Sequence, residues 1–183
     1  MEKEEIDILI NNAGFGLFGA FDKTNLETEL NMIDLNIKTV HILTKLFLKK
    51  IKEKDNGYIL NVASSAAFMS GPLMSTYYAT KGYVLKLAEA IYEELRKEGS
   101  NVKISALCPG PVDTEFNKVA GVSFTVKALS SDFVTKYALN KIFKGKIVIV
   151  PGKLMKLGVF MVRLAPRKLV LKFVYKIQRK KQK

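Results

Sequence analysis

Four short apolar runs, each closed by residues that favour turns, restrict the possible folds of this chain more than any other feature of its sequence. They occupy residues 6–10, 58–63, 102–107 and 146–150. Runs of this length that end in Asn, Ser, Pro or Gly are typical of strands in a buried parallel sheet. Stretches with helical periodicity lie between them, so the sequence predicts an α/β fold.

The second apolar run leads into a loop of small residues and then into a long helix. The loop begins at Ser64, and the helix is predicted from about Thr76 to Glu98, with Gly99 ending it. Tyr77 and Lys81 are four residues apart, so they share one face of this helix. Ser64 stands at the end of its strand, which is where a parallel α/β sheet places its reacting groups.

These three side chains suit acid–base chemistry at an oxygen atom. A free phenol titrates near about 10, but a lysine ammonium one helical turn away and the positive end of a helix both favour its ionised form. A serine hydroxyl can donate to the same developing oxyanion. The set fits proton exchange at a carbonyl or alcohol oxygen while hydride moves at its carbon. Taken alone, the Tyr77–Lys81 spacing favours a surface tyrosine and a solvated lysine, and the motifs in the rest of the sequence change that interpretation.

Two further motifs follow strands in the same order as a known pattern. Asn11-Asn12-Ala13-Gly14 closes the first apolar run, and the rigid loop Pro109-Gly110-Pro111-Val112-Asp113-Thr114 follows the third. With Ser64, Tyr77 and Lys81 at these intervals, nearly the whole chain resembles the short-chain dehydrogenase/reductase family. The resemblance implies the C-terminal part of a doubly wound, Rossmann-type parallel sheet, with about four strands and flanking helices.

The resemblance also assigns catalytic roles to four residues. Tyr77 is implied to be the acid–base group, Lys81 to lower its pKa and hold the nicotinamide ribose, and Ser64 to bind the substrate oxygen. A capping box at residues 24–27 predicts the start of a long helix that contains Asn36. The resemblance implies that Asn36 completes a tetrad with these three residues and supports a proton relay. A partly exposed helix asparagine is the alternative interpretation of Asn36.

The same resemblance implies a bound NAD(P)(H), with NADP(H) favoured, and no metal ion. The turn after the first strand is implied to pack against the adenine-ribose side, where Gly14 and Gly16 permit close backbone approach. The loop after the third strand is implied to hold the nicotinamide carboxamide. The implied cofactor-binding residues are Asn11, Ala13, Gly14, Tyr77, Lys81, Pro109, Gly110, Val112 and Thr114.

Other parts of the chain receive simpler interpretations. Leu35, Thr39, Ile42 and Leu46 have helical spacing and are predicted to form the core face of the long helix. Cys108 is predicted to be a small packed residue, and residues 116–125 a mobile segment beside the substrate. Family members often dimerise through the long helices that include Asn36 and Tyr77, so the resemblance implies a homo-oligomer.

The family pattern begins with a Gly-rich strand–turn–helix that this sequence does not contain, because five residues precede the first apolar run. We therefore expect a truncated product, a mis-assigned start or half of a complex, with weak or no activity for the chain alone. The first strand is expected to present an exposed apolar edge. The alternative function is a non-catalytic remnant that acts as an interaction or membrane-surface module.

The basic charge of the chain is confined to its C-terminal part. Residues 1–132 contain 15 Lys and Arg against 17 Asp and Glu, whereas residues 133–183 contain 15 Lys and Arg and no acidic residue. A nearly neutral catalytic region argues against a nucleic-acid enzyme and indicates a local role for the tail. Residues 1–152 are accordingly interpreted as the partial Rossmann-type domain, and residues 153–183 as its basic, helical extension.

In that extension the lysines recur every fourth residue from Lys168, and apolar residues occupy another helix face. This pattern suits a membrane surface, a cover over an apolar pocket that binds lipid-like substrates, or a packed helix with a solvated lysine face. The single cysteine, the acidic start and the lack of a spanning run predict a cytoplasmic protein. Peripheral membrane contact through residues 153–180 is compatible with that prediction.

Overall fold

The computed structural model describes residues 6–121 and 128–180. Its strands are β1 (Ile8–Asn11), β2 (Tyr58–Val62), β3 (Lys103–Leu107), β4 (Val112–Asp113), β5 (Leu129–Ser130) and β6 (Val148–Ile149). One four-stranded sheet has the order β1-β2-β3-β6, and all of its neighbouring strands are parallel. The prediction of an α/β fold with about four parallel strands is confirmed. The small second sheet, formed by β4 and β5, was not anticipated.

Helices occupy most of the remaining described chain. They are α1 (Leu26–Ile33), α2 (Val40–Glu53), α3 (Ser75–Glu98), α4 (Phe116–Ala120), α5 (Ser131–Ile142), α6 (Lys153–Leu164) and α7 (Arg167–Arg179). A π-helical segment, Asp34–Thr39, joins α1 to α2 without a break, and a short 3-10 turn, Ser65–Phe68, follows β2. None of the helices in these described residues is long and apolar enough to cross a bilayer.

The strand register brings the functional loops together. Val62 at the end of β2 lies opposite Leu107 at the end of β3. Just beyond the strands, the Ala63 amide donates to the Leu107 carbonyl and the Ser65 amide to the Pro109 carbonyl, both at 2.8 Å. The loop that begins at Ser64 and the loop that begins at Pro109 are therefore tied to each other at the carboxyl edge of the sheet.

The core lies between this sheet and the helices that follow its strands. Ile59 of β2 and Ile104 of β3 are fully buried against Val84 and Ala88 of α3. Val159 of α6 is buried in the same cluster. The first helix of the C-terminal extension is therefore packed on the domain through part of its surface.

The prediction that the first strand is buried on both faces is wrong for this chain. Leu9 and Asn11 point toward the core, but Ile10 on the other face is 48% exposed and Ile8 is also exposed. The reason is position, because β1 is an edge strand whose pairing partner among the described residues is β2. The expectation of an exposed apolar edge at this strand agrees with that arrangement.

The predicted core face of the long helix is also wrong. Thr39, Ile42 and Leu46 are exposed, whereas Asn36 and Thr44 are buried. The π-helical segment shifts the phase of the helix relative to a regular 3.6-residue repeat. In addition, the side chains of Asn36 and Thr44 form hydrogen bonds in the interior, and these bonds offset the free-energy cost of burying polar groups.

Helix ends follow their sequence signals, with one shift. Gly99 ends α3 with a φ of 72°, a left-handed conformation that glycine adopts without steric cost. The Ser130 hydroxyl caps α5 by accepting from the Phe133 amide at 3.3 Å. The cap of α1 is Asn25, which accepts from the Thr28 amide at 2.9 Å, and not Thr24 as the capping box predicts. Thr24 instead donates to Glu29.

Candidate active site

A cleft of about 550 Å³ opens beyond the carboxyl ends of β2 and β3. It brings together most of the residues that the sequence singles out. The predicted residues that line it are Gly14, Ser64, Tyr77, Lys81, Pro109, Gly110, Val112 and Thr114. These come from four separate parts of the chain, which meet because parallel strands end at one edge of the sheet.

Tyr77 is buried at the start of α3, with its ring centroid 5.3 Å from that of Phe116. Burial raises the pKa of the phenol to about 12, while the Ser64 side chain acts in the opposite direction. The expectation of a lowered pKa for this phenol is not met, because desolvation is the largest influence on it and raises the pKa. The Tyr77 phenol therefore keeps its proton at neutral pH and has it available to donate.

Lys81 is a lysine almost completely withdrawn from water. Its Nζ donates to the Val62 carbonyl at 2.8 Å and lies 6.0 Å from the centroid of the Tyr77 ring. Burial lowers the pKa of this amine to about 8. The neighbouring Cys108 is fully buried, and burial raises the pKa of its thiol to about 12. Cys108 is therefore a packed thiol and not a nucleophile.

Ser64 has the geometry of a donor to an incoming oxygen. Its backbone is extended, and its Oγ accepts a hydrogen bond from the Ala66 amide at 3.1 Å. A hydroxyl that accepts in this way still has its own hydrogen to donate. The amide contact fixes the oxygen inside the cleft, so the proton of Ser64 can be directed at a substrate oxygen that also faces Tyr77.

Asn36 is fully buried in the π-helical segment and does not line the cleft. Its Nδ2 donates to the Phe15 carbonyl at 2.9 Å and to Thr80 Oγ1 at 3.1 Å, and its Oδ1 accepts from the Phe15 amide at 3.2 Å. The alternative of a partly exposed asparagine is therefore wrong. Asn36 ties the loop after β1 to α3, one residue before Lys81.

Gly14 explains why that loop needs a residue without a side chain. A Cβ atom at this position would lie 2.8 Å from Asn36 Oδ1 and 3.3 Å from Lys81 Nζ. The loop can approach the lysine this closely only because Gly14 presents bare backbone. The result is a cradle of backbone groups beside a cationic side chain.

Asn11 and Ala13, which the resemblance assigns to cofactor binding, do not line the cleft. The Asn11 amide is buried and donates to Asn61 Oδ1 at 2.8 Å and to Thr44 Oγ1 at 3.1 Å. Its side chain therefore joins β1 to β2 and α2. Its neighbour Asn12, which belongs to the same motif but is not among the implied cofactor-binding residues, lines the cleft.

We expect Asn11→Ala to destabilise the chain by about 1–3 kcal/mol, because it leaves buried polar atoms of Asn61 and Thr44 without this partner. Urea unfolding followed by circular dichroism measures the change. Asn12→Ala is the matched control, since that side chain is exposed and its loss should alter stability by less than about 0.5 kcal/mol. Equal stabilities of the two variants would contradict this role for Asn11.

Two helices outside the predicted site residues also line the cleft. Phe116 and Val119 of α4 belong to the segment that the sequence places beside the substrate. Sequence reasoning missed Ser131, Val134 and Thr135 of α5, for which the serine cap at Ser130 is the available signal. Of the predicted mobile segment, residues 116–120 form α4, whereas residues 122–125 lie outside the described residues.

Tyr78 connects this cleft to the C-terminal extension. It lines the cleft and also a second groove of about 870 Å³, to which α6 and α7 contribute. Its phenol accepts a hydrogen bond from Nε2 of Gln178, a fully buried residue of α7, at 2.7 Å. Burial raises the pKa of Tyr78 to about 12. Tyr78, the residue next to Tyr77, is thus hydrogen-bonded to helix α7 of the C-terminal extension.

Comparison with known proteins gives one consistent result. A family model described as short chain dehydrogenase matches residues 1–122. Ketoacyl reductase HetN of Nostoc sp. is 34% identical over 145 residues, and 17-beta-hydroxysteroid dehydrogenase type 3 of Mus musculus is 35% identical over 131 residues. A short-chain dehydrogenase from Sphingobium yanoikuyae, solved in complex with NADPH, superposes with a TM-score of 0.78 at 28% identity.

These similarities cover most of this chain but only part of each relative. The match takes in 74% of the chain and 49% of the Nostoc protein, and 70% of the chain and 42% of the mouse protein. The structural match covers 92% of the chain and 66% of the Sphingobium chain. The chain therefore spans about half the length of the curated relatives it matches.

Proposed function

The chain belongs to the short chain dehydrogenase family, and from this premise we propose that it provides the catalytic part of an NAD(P)(H)-dependent oxidoreductase that interconverts a carbonyl and an alcohol. One observation supports the proposal above all others. The Tyr77 phenol, the Lys81 amine and the Ser64 hydroxyl, which come from a helix and a strand end, meet in one cleft.

The states of these groups favour the direction of carbonyl reduction. A carbonyl oxygen gains negative charge as hydride reaches its carbon, and a proton must then arrive at that oxygen. Tyr77 holds this proton because burial raises the pKa of its phenol to about 12. Ser64 donates a hydrogen bond to the same oxygen and stabilises the charge before the proton moves. Asn36 keeps the loop after β1 in contact with α3 and so fixes the position of Lys81.

The residues of the cleft fit the nicotinamide end of the cofactor, whose part in the reaction is to supply or accept the hydride. Lys81 would donate to the ribose hydroxyls, since its amine is buried beside the bare backbone of Gly14. The rigid loop Pro109–Val112 would offer backbone groups to the carboxamide, with Thr114 close by. NADP(H) is the form we propose, and the NADPH bound to the Sphingobium relative supports that choice.

Apolar carbonyl compounds are the substrate class that the cleft suits best. Beside the catalytic groups it is lined by Phe15, Met74, Phe116, Val119 and Val134. The curated relatives named above are a ketoacyl reductase and a hydroxysteroid dehydrogenase, and both names denote largely apolar substrates. We therefore propose a lipid-like carbonyl as the substrate.

The exposed surface of helices α1 and α2, called here the α1–α2 face, suits association with a second copy of the chain. Leu26, Leu30, Ile42, Leu43 and Leu46 are large apolar residues that this face exposes. Several large exposed apolar residues on neighbouring helices are typical of a subunit interface. Sedimentation of the chain at several concentrations tests the proposed self-association, and a monomer at every concentration would contradict it.

The exposed edge of β1 supports a second candidate function. Ile8 and Ile10 present apolar surface beside backbone groups that lack a strand partner among the described residues. Such an edge can pair with a strand of another protein. In this alternative the chain is a non-catalytic interaction module, with no need to bind a nucleotide.

Titration with NADPH and NADH separates the two candidates. Saturable binding is expected for the oxidoreductase. It is measured by calorimetry and by the change in the reduced nicotinamide's own fluorescence, because the chain contains no tryptophan. Lys81→Met should weaken this binding, while Lys86→Met, an exposed lysine of the same helix, should leave it unchanged. Binding that is absent, or that both variants retain fully, would contradict the proposed cofactor site.

A further inference from the structure

The outward face of α6 presents a stripe of large apolar residues to solvent. We call it the outer stripe, and its members are Leu154, Leu157, Phe160, Met161 and Leu164. Their exposed fractions lie between 53% and 86%. The spacing places them on one side of the helix, opposite the buried Val159. A surface helix normally shows polar residues on this side, so the outer stripe is an unpartnered apolar face.

Helix α7 extends this apolar surface. Leu169, Phe173 and Ile177 follow one another every four residues and are all exposed. The residues that attach α7 to the domain, Val174 and Gln178, lie on a different side of the helix and are buried. Docking of α7 on the domain therefore leaves a second apolar row free.

Positive charge surrounds both rows. Every ionisable side chain between residues 153 and 180, other than Tyr175, is a lysine or an arginine. These are Lys153, Lys156, Arg163, Arg167, Lys168, Lys172, Lys176, Arg179 and Lys180. A second copy of this face would repel the first through like charges. A partner complementary to this face has an apolar interior that can accept the two apolar rows, and negative charge at its surface that can pair with the lysines and arginines.

We propose that α6 and α7 dock the protein on the surface of a bilayer that contains anionic phospholipids. The outer stripe and the apolar row of α7 enter the boundary between headgroups and acyl chains, while the lysines and arginines contact lipid phosphates. Arg163 and Arg167 also line the groove that α6 and α7 form with residues 67–72, next to Tyr78. With 12 and 13 residues the helices are too short to cross a bilayer, so they lie along its surface.

Vesicle sedimentation with the full chain tests the proposal without reference to turnover, so it is independent of the proposed enzymatic function. The chain is mixed with vesicles of phosphatidylcholine alone or with 30% phosphatidylglycerol added, at about 0.1 M and 0.5 M salt. We expect binding to the anionic vesicles, at least about tenfold weaker binding to the neutral ones, and release at the higher salt.

Two variants and a control locate the contact. Phe160→Glu should weaken binding by at least about tenfold, because it removes a phenylalanine from the buried surface. Phe21→Glu is the matched control, since Phe21 is 69% exposed in a loop before α1 and its loss should change nothing. The triple change Lys168→Gln, Lys172→Gln and Lys176→Gln should weaken binding on the order of a hundredfold, at about 1 kcal/mol for each lysine.

Circular dichroism confirms that each variant is folded before its binding is compared. If Phe160→Glu alters folding, the triple lysine change still decides the outcome. The proposal is overturned by a chain that does not bind anionic vesicles, or by binding that both sets of changes leave intact. It is also overturned if Phe160→Glu converts a dimer to a monomer while vesicle binding persists, because the outer stripe would then cover a second copy.

Discussion

Tyr77→Phe is expected to lower the rate of carbonyl reduction by about 10²- to 10⁴-fold, which is the usual contribution of a positioned general acid. The substitution removes the phenol oxygen and leaves the buried ring, which still packs against Phe116. Because burial raises the pKa of Tyr77 to about 12, the wild-type phenol keeps its proton at neutral pH. The loss should therefore appear in kcat, with little change in the free energy of unfolding.

Tyr78→Phe is the matched control, since it removes the same atom from the next residue. Here the lost phenol is the acceptor of the Gln178 amide, so a buried donor of α7 is left without this partner. We expect Tyr78→Phe to cost about 1–3 kcal/mol of stability and to retain most of the turnover. Steady-state reduction of apolar ketones, measured with this chain or with a protein extended upstream of Met1, compares the two variants. The assignment is wrong if Tyr78→Phe abolishes activity and Tyr77→Phe spares it.

The local parts of this site could be predicted from the sequence because each depends on neighbouring residues. The four-residue interval between Tyr77 and Lys81 fixes a shared helix face whatever the rest of the chain does. A serine at the end of a parallel strand reaches the same edge of the sheet as the loop after the next strand. These rules require no knowledge of distant contacts.

The parts that could not be predicted depend on contacts between distant residues. Asn11 looks like a turn residue in the sequence, but its amide is held by Asn61 and Thr44 in two other elements. The π-helical segment changes the phase of the long helix, so a regular repeat assigns Ile42 and Leu46 to the wrong side. The contact of Gln178 with Tyr78 joins residues one hundred positions apart. No periodicity within either segment indicates it.

The pKa of Tyr77 was misjudged for a related reason. The sequence places a lysine close to the phenol, which suggests that opposite charge decides its protonation. The structure buries both groups, and desolvation acts against the charged form of each, raising the pKa of the phenol and lowering that of the amine. Proximity can be read from spacing, whereas burial depends on the whole fold.

Lys81→Met is expected to stabilise the chain while it weakens nicotinamide binding and turnover. Burial lowers the pKa of this amine from 10.5 to about 8, which corresponds to about 3 kcal/mol of unfavourable free energy for a charged lysine in the native state. Methionine fills a similar volume without charge. Loss of the hydrogen bond to the Val62 carbonyl offsets about 1 kcal/mol, so the net gain at pH 7 should be about 2 kcal/mol.

The pH dependence of this gain identifies its cause. Below about pH 8 the native chain keeps a buried ammonium, so the full cost is present and the variant is more stable than the wild type. Between about pH 8 and pH 10.5 the unfolded chain binds more protons at this position than the native chain, so wild-type stability rises with pH relative to the variant. Urea unfolding of both proteins at pH 7 and pH 10 measures the difference. Lys86→Met, which changes an exposed lysine of the same helix, should show neither effect. A Lys81→Met chain that is less stable than wild type at pH 7 would mean that the amine stabilises the fold. That result would contradict the inference that burial of the charged Lys81 amine destabilises the native chain.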